Sequence, residues 1–252
     1  MSRYVVNCSW EHCAHLSKEQ KEEIYKVLAP HEREARSLGI PGIGSGKIYP
    51  VAESVFVISP SKIPDYYPKA FGLDVGWNFT AGVFGAYDEE SDVWTIYSEY
   101  KGERQEPAVN AASMRARSQG WIRGVIDPAS MGVSQSNGQS LIDIYTRNGL
   151  DVECANNSVE PGLLEVFQRL TEGRLLIHDT CVKILEELRL YHRKQNGTVA
   201  KVNDHLMDAL RYLIMSGHNV LSVKPEEEEY QEREALSYRT NGVGGANPRT
   251  GY

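Results

Sequence analysis

Apolar residues in the first part of the chain's middle region recur in short runs that are typical of strands. The run AFGLDVG (70–76) is apolar and bounded by glycine, as a buried strand is. The runs TAGVFGAY (80–87) and VWTIYSEY (93–100) are rich in β-forming residues and are separated by DEESD, a natural turn. The three runs together predict an antiparallel meander.

Helical and strand-like patterns alternate after the meander. The segments with a helical pattern are 107–120, 139–149, 158–173, 179–192 and 203–217. The short apolar runs GVID (124–127) and RLLIH (174–178) between them predict strands. The segment RKQNGTVAK (193–201) contains Asn-Gly, a strong hairpin signal. This order predicts an α/β fold, with a mixed sheet that starts with the meander and carries helices on both faces.

Composition divides the chain into three regions. Residues 1–68 are irregular and include one amphipathic helix and the stretch LGIPGIGSGKIYP, which is poor material for an independent core. Residues 69–220 hold the alternating strands and helices. Residues 221–252 begin with a run of glutamates and end in RTNGVGGANPRTGY. We expect the first region to be a linker and the last to be a flexible acidic tail.

Charge and hydropathy narrow the class of protein. The formal net charge of −7 excludes a pervasive basic surface, so any binding to DNA must rest on a local groove. No apolar run approaches the roughly 18 residues that span a bilayer, so we expect no membrane partner. The four cysteines are sparse and irregularly spaced, which predicts reduced thiols in a cytoplasmic protein.

The stretch GSGK (44–47) imitates part of a phosphate-binding loop. Such a loop needs G-x-x-x-x-G-K followed by serine or threonine. Here Pro41 stands at the first glycine position and Ile48 follows Lys47. We therefore expect no ATP binding by this chain.

Three aspartates occupy positions where apolar residues are expected. Asp74 lies inside the first strand of the meander, Asp127 closes the run GVID, and Asp208 lies among apolar neighbours in the last predicted helix. A buried aspartate costs roughly several kcal/mol unless it is paired or bound to a metal. Mg²⁺ and similar hard cations prefer oxygen ligands, and two such ions can activate water and stabilise the leaving oxygen in phosphodiester hydrolysis. Taken singly, Asp74 and Asp127 could also be ordinary strand-end and turn residues.

Two further candidates precede Asp208 on the same predicted helix. Asp204 and His205 lie four and three residues before it, so all three side chains can project from one face. Asp204 could be a further metal ligand or only the N-cap of the helix. His205 could be a metal ligand, a residue that orients a metal ligand, a phosphate contact or an ordinary histidine. These alternatives remain open at the level of sequence.

The segments GLDVGWN, VIDPAS and NDHLMDALRYLI together resemble the nuclease domain of tailed-phage terminase large subunits, which are RNase H-like nucleases. The resemblance covers about residues 70–218, and DH-x-x-DA-x-RY is its most specific part. In that fold the first acid lies on the first strand of a meander, the second at the end of the fourth strand, and the third on a late helix. The resemblance implies Asp74, Asp127 and Asp208 as ligands of two Mg²⁺ or Mn²⁺ ions, with His205 as a catalytic residue.

The same resemblance implies a role for the whole protein. Such a protein would cut concatemeric viral double-stranded DNA during genome packaging, with the viral portal protein and the small terminase subunit as partners. It would act in the host cytoplasm, transiently on the procapsid. Residues 30–51 resemble the segment that joins the terminase ATPase to its nuclease, so we expect the ATPase motor to be absent from this chain. We expect a monomer in isolation.

Some features leave alternatives open. Arg193, Lys194 and Lys201 of the predicted hairpin are candidate phosphate contacts, or only parts of a solvated hairpin. Trp77 could stack on DNA or pack beside the strand end. For the whole chain, the alternatives are another RNase H-like enzyme, such as a junction resolvase or a ribonuclease H, and a non-catalytic module that docks on the portal or procapsid.

Overall fold

A computed structural model gives the fold of the chain. It describes residues 9–13, 16–27, 37, 46–132, 140–194 and 197–225. Half of the GSGK stretch lies outside the described residues. So do the centre of the loop after Asp127, the tip of the predicted hairpin and the acidic tail beyond residue 225.

The strands of the described residues form one mixed, seven-stranded sheet. They are β1 Val57–Ile58, β2 Lys69–Val75, β3 Phe79–Asp88, β4 Val93–Glu103, β5 Gly124–Ile126, β6 Val152–Cys154 and β7 Leu175–His178. Their order across the sheet is β1-β7-β4-β3-β2-β5-β6. Strands β2, β3 and β4 form the predicted antiparallel meander, and every other pair in this sheet is parallel.

The helices follow the sequence predictions closely within the middle region. They are α1 Lys18–Val27, α2 Glu53–Phe56, α3 Pro107–Ser118, α4 Leu141–Arg147, α5 Val159–Thr171, α6 Val182–Leu190 and α7 His205–Ser216. Short 3₁₀ helices span Trp10–His12, Pro128–Met131 and Gly217–Val220. None of the helices that the structure describes is long and apolar enough to cross a membrane.

Helices cover both faces of the sheet, as predicted. Helix α7 lies across β2 and β3 and contacts α5 and α6, and its apolar side chains join one buried cluster. On the opposite face, Met114 of α3 and Tyr145 of α4 pack in a second cluster with Phe71 and Phe84. The mixed α/β architecture is therefore confirmed.

A glycine sets how closely α7 approaches the sheet. A side-chain carbon at Gly72 of β2 would lie 2.1 Å from the backbone oxygen of Ala209, inside α7. The helix backbone therefore rests directly on the strand. This close approach brings the first turns of α7 next to the end of β2.

The sheet also includes residues that the sequence assigned to the linker before residue 69. Strand β1 pairs with β7, and the nearby side chains of Tyr49 and Phe56 are fully buried. A strand of two residues is too short to show a period in the sequence, which explains why it was not predicted.

Helix α6 begins at Val182, later than the start of the predicted segment 179–192. Its N-cap residue is Cys181, whose side chain makes no capping bond. The carboxylate of Glu99 on β4 accepts hydrogen bonds from the backbone N–H groups of Lys183 and Ile184 at 2.9 and 2.7 Å. A residue distant in sequence thus satisfies the free donors of this helix end.

Candidate functional site

Asp74 and Asp127 lie side by side at one edge of the sheet. Strands β2 and β5 are parallel with Leu73 opposite Ile126, and the backbone N–H of Asp127 donates to the oxygen of Leu73 at 3.0 Å. Leu73 and Ile126 are buried in the cluster beneath α3 and α4. Because side chains alternate along strands, the next residues face α7.

Asp127 is held by the turn that follows it. Its Oδ1 accepts a hydrogen bond from the backbone N–H of Ala129 at 3.1 Å, which caps the 3₁₀ helix Pro128–Met131. Because Pro128 fixes the first turn of that helix, the carboxylate has a defined position although it is partly exposed.

Helix α7 brings Asp208 to the same place. Asp208 lies one turn inside the helix and is 8% exposed, as is Asp74. Burial raises the pKa of Asp74, the hydrogen bond with His205 lowers it, and the negative charges of Asp208 and Asp127 raise it further. The net pKa of Asp74 is raised. The three predicted carboxylates therefore share one electrostatic environment.

His205 contacts Asp74 directly. Its Nδ1 lies 2.9 Å from Oδ2 of Asp74, so the ring donates to the ionised carboxylate, and it packs on the ring of Phe79. This hydrogen bond raises the pKa of His205, while burial opposes the rise. Of the alternatives raised by the sequence, the structure shows a histidine that binds and orients the first acid.

Lys201 bridges two acids at the start of α7. Its Nζ lies 2.9 Å from Oδ2 of Asp208 and 3.2 Å from Oδ2 of Asp204. Asp204 is the N-cap residue of the helix, but its side chain makes no capping hydrogen bond. Its buried Oδ2 accepts no hydrogen bond of good geometry from the described residues. The positive charge of Lys201, 3.2 Å away, therefore compensates for the burial of this oxygen.

Arg211 fixes the other oxygen of Asp208. Its Nη2 donates to Oδ1 of Asp208 at 2.8 Å and to Oδ1 of Asn157 at 3.1 Å, and the side chain is 1% exposed. The sequence motif contained Arg211, but gave it no role. Its position three residues after Asp208, among apolar neighbours of one helix, was the available signal.

Glu187 is a second residue near the site that the sequence did not single out. It is buried on α6, accepts a hydrogen bond from Nζ of Lys101 at 2.6 Å, and accepts another from the backbone N–H of Leu206 at 2.8 Å. Burial raises the pKa of Glu187, although Lys101 and the Leu206 N–H oppose the rise. Glu187 thus satisfies the amino end of α7 and secures the helix that carries Asp208. Its position between Ile184 and Leu188, on the buried face of α6, was the signal.

The three candidate phosphate contacts have different surroundings. The hairpin is present, since Arg193 pairs with Val199 in an antiparallel bridge. Arg193 binds Glu160 through both terminal nitrogens, at 2.9 and 2.6 Å, and Lys201 lies against the acids of α7. Lys194 takes part in the hairpin through its backbone, whose N–H donates to the oxygen of Thr198.

Basic side chains contact two of the three carboxylates. Asp74 contacts His205, while Asp208 lies between Lys201 and Arg211. In this arrangement no three His, Cys, Asp or Glu side chains within the described ranges are grouped tightly enough to hold a metal ion. The acids would have to approach one another more closely to bind one together.

Comparisons with known proteins point to one family. The model of the terminase RNaseH-like domain matches residues 71–216. The large terminase subunits of Salmonella phage P22 and Enterobacteria phage LP7 are each 32% identical over 219 residues, which cover 84% of this chain and 44% and 46% of those proteins. This chain therefore spans less than half the length of these relatives.

A solved structure agrees in fold. The nuclease domain of the P22 large terminase superposes with a TM-score of 0.65 at 26% sequence identity, covering 71% of this chain and 96% of that domain. The family match includes most of the strand of Asp74, the turn of Asp127 and the whole helix of Asp208. This chain belongs to the terminase RNaseH-like domain family.

Proposed function

We propose that this chain is a metal-dependent endonuclease that hydrolyses phosphodiester bonds of concatemeric viral double-stranded DNA. The observation that carries the proposal is the convergence of Asp74, Asp127 and Asp208 from β2, β5 and α7. Their mutual repulsion contributes to the raised pKa of Asp74. A bound cation would relieve this repulsion.

The chemistry of the residues fits two Mg²⁺ or Mn²⁺ ions. All the proposed ligands, Asp74, Asp127, Asp208 and the further candidate Asp204, offer carboxylate oxygens, which hard divalent cations prefer. The buried Oδ2 of Asp204 lacks a well-formed hydrogen bond among the described residues, and Lys201 supplies a positive charge beside it. We interpret the position of this ammonium group as one where the surrounding carboxylates favour a cation.

The protein residues would have separate tasks in the reaction. When bound, the two ions would activate a water molecule and neutralise charge on the leaving oxygen. Asp74, Asp127 and Asp208 would hold them at the sheet edge. His205 would keep Asp74 in orientation, and Arg211 would do the same for Asp208.

Family membership supports a role in genome packaging. The curated relatives are large terminase subunits, and this chain matches less than half of their length. We propose that the whole protein acts in the host cytoplasm, transiently on the viral procapsid, with the portal protein and the small terminase subunit as partners. In isolation we expect this chain to be a monomer.

The direct test is a plasmid-nicking assay with Mg²⁺ or Mn²⁺ on the wild type, Asp127→Asn and Asp208→Asn. We expect nicking by the wild type, inhibition by EDTA, and loss of nicking in both variants. Circular dichroism must accompany Asp208→Asn, because this change also removes the charge that pairs with buried Arg211. Asp127 has no such role, so Asp127→Asn is the cleaner variant.

Other substrates in the same assay separate the alternatives. Preference for a four-way junction or an RNA–DNA hybrid over plasmid DNA would indicate a resolvase or a ribonuclease H. Cutting that survives both substitutions would overturn the proposed site. A folded wild type that neither cuts nor binds Mn²⁺ would favour the non-catalytic docking module.

A further inference from the structure

Trp77 is a large aromatic side chain that is almost fully exposed to solvent. It lies in the turn between β2 and β3, three residues after Asp74, and is 92% exposed. Trp94 and Trp121, by contrast, are buried, at 0% and 7% exposed. The structure therefore does not support the interpretation that Trp77 packs beside the strand end. A large aromatic side chain that is kept in water is suited to stacking on a ligand.

A cavity of about 350 Å³ opens beside this tryptophan. That volume lies within the range of small-ligand pockets, about 300–1,000 Å³. Its apolar lining includes Trp77, Val75 and Leu141. Leu141 is 37% exposed, so the apolar wall is open to solvent on one side.

The buried part of the same cavity is polar. Nδ2 of Asn110 donates to Oγ1 of Thr80 at 3.1 Å, and the hydroxyl of Tyr145 lies 3.4 Å from that Oγ1. All three residues line the cavity and are at most 3% exposed. An apolar wall combined with a polar interior matches a nucleobase, which has flat apolar faces and a hydrogen-bonding edge.

The lining of the cavity carries one positive and one negative side chain, Arg104 and Glu106. Arg104 lines the cavity and is exposed, and its backbone N–H donates to the oxygen of Asn78 at 2.9 Å, which ties it to the Trp77 turn. Its φ of +46° is in the left-handed region, which non-glycine residues rarely adopt. Within the described part of the chain, its guanidinium has no ion-pair partner. It is free to contact a phosphate.

We propose that Trp77 and this cavity bind an unpaired base of the DNA strand, with Arg104 on an adjoining phosphate. This inference rests on the proposed DNA substrate and goes beyond it, because a base can enter the cavity only after leaving its pair. The chain would therefore bind single-stranded or locally melted DNA more tightly than an intact duplex. An intact duplex could make only the phosphate contacts.

The test measures binding without cleavage. A labelled single-stranded oligonucleotide and its blunt duplex are titrated in EDTA, and fluorescence anisotropy gives both affinities. We expect Trp77→Ala to weaken single-strand binding about fivefold or more, and duplex binding by less than about twofold. Trp77→Phe keeps a stacking ring and should keep most of the affinity. Tyr66→Ala is the matched control, because Tyr66 is also exposed, at 73%, but precedes the other end of β2.

Tryptophan fluorescence supplies a second readout. Single-stranded DNA should quench the emission of the wild type but not that of Trp77→Phe. A wild type with no quenching, an equal loss of single-strand and duplex affinity in Trp77→Ala, or an equal loss in Tyr66→Ala would each overturn the proposed base site.

These readouts fail separately from the nuclease proposal. Quenching by single strands in a chain that never nicks plasmid DNA would leave the base site standing and reject the endonuclease. Nicking without quenching would do the reverse. Arg104→Ala should weaken binding to both forms of DNA while leaving the Trp77 quenching at saturation unchanged.

Discussion

Asp74 on β2 and Asp92 in the turn before β4 lie beside opposite ends of β3, and their carboxylates are stabilised in opposite ways. At one end, Asp92 accepts hydrogen bonds from Arg169, Arg174 and Tyr87. Burial alone would raise its pKa, but these partners outweigh burial and the pKa of Asp92 is lowered. At the other end the pKa of Asp74 is raised. The Asp92 end therefore favours the ionised carboxylate. The Asp74 end concentrates negative charge that its basic neighbours only partly balance.

The histidines at the two ends differ in the same sense. His218 accepts a hydrogen bond from the indole N–H of Trp94 at 3.2 Å, and burial lowers its pKa. His205 contacts Asp74, and that contact raises its pKa. The Asp92 end is thus built as a structural ion-pair network, while the Asp74 end has the surplus charge of a functional site.

Removing one carboxylate from each end gives the largest contrast. Asp127→Asn should lower plasmid nicking at least about a hundredfold, because it removes a proposed metal ligand. Its stability should stay near that of the wild type, since asparagine can still accept the Ala129 N–H bond. Asp92→Asn should keep its nicking rate and lose about 1–2 kcal/mol of unfolding free energy, because Arg169 is buried and loses a charged partner.

Nicking rates and urea unfolding of the two variants check this pair of expectations. If Asp127→Asn lost stability and Asp92→Asn lost activity, the assignment of the two ends would be reversed.

Gly72→Ala should disturb the functional end through packing. The added carbon would meet the oxygen of Ala209 at 2.1 Å, so α7 must move away from β2. We expect a loss of about 1–3 kcal/mol of stability together with reduced nicking. Gly132→Ala is the milder comparison, because its added carbon would lie 3.2 Å from the oxygen of Ala129 and needs a much smaller shift. Thermal unfolding that shows no difference between the variants would contradict the close contact of α7 with the sheet.

Lys201→Ala tests whether the lysine competes with metal. Removing its ammonium group exposes Asp204 and Asp208 to solvent cations, so Mn²⁺ should bind about threefold to tenfold more tightly. Stability should fall by less than about 1 kcal/mol, because the lysine side chain is 63% exposed. Arg193→Ala, on the same hairpin but paired with Glu160, should leave Mn²⁺ affinity unchanged. Weaker binding in Lys201→Ala would show that the lysine supports the ions instead of displacing them.

The smallest effect concerns pH at the Asp92 end. Because burial lowers the pKa of His218 below its ordinary 6.5, the folded protein favours the neutral ring. The resulting stability is complete above about pH 6.5 and is lost as pH falls through the lowered pKa. His218→Gln should therefore show a smaller decrease in melting temperature between pH 8 and 5 than the wild type. Parallel curves for the two proteins would argue against this titration.

The sequence predicted features that depend on local pattern. Short apolar and β-rich runs separated by a turn predicted the meander, and aspartates within apolar surroundings predicted Asp74, Asp127 and Asp208 as the acids of interest. The structure brings these three together, while their role as ligands stays a prediction.

Features that depend on distant partners could not be read from the sequence. Glu187 acts through Lys101 and Leu206, and helix α6 is capped by Glu99 of another strand. Lys201 was a candidate for phosphate contact, because nothing in its neighbourhood in sequence shows that its charge folds back onto Asp208. Strand β6 also gave no pattern, since it has three residues and its polar positions are exposed.

The most direct test of the account is a Mn²⁺ titration of the folded chain, followed by electron paramagnetic resonance of free Mn²⁺, on the wild type, Asp127→Asn and Asp92→Asn. The account predicts that the wild type and Asp92→Asn each bind two ions, and that the two proteins have the same affinities. Asp127→Asn should lose at least one of the ions. Binding of Mn²⁺ by Asp127→Asn that matches the wild type would contradict the claim that Asp74, Asp127 and Asp208 form a metal site.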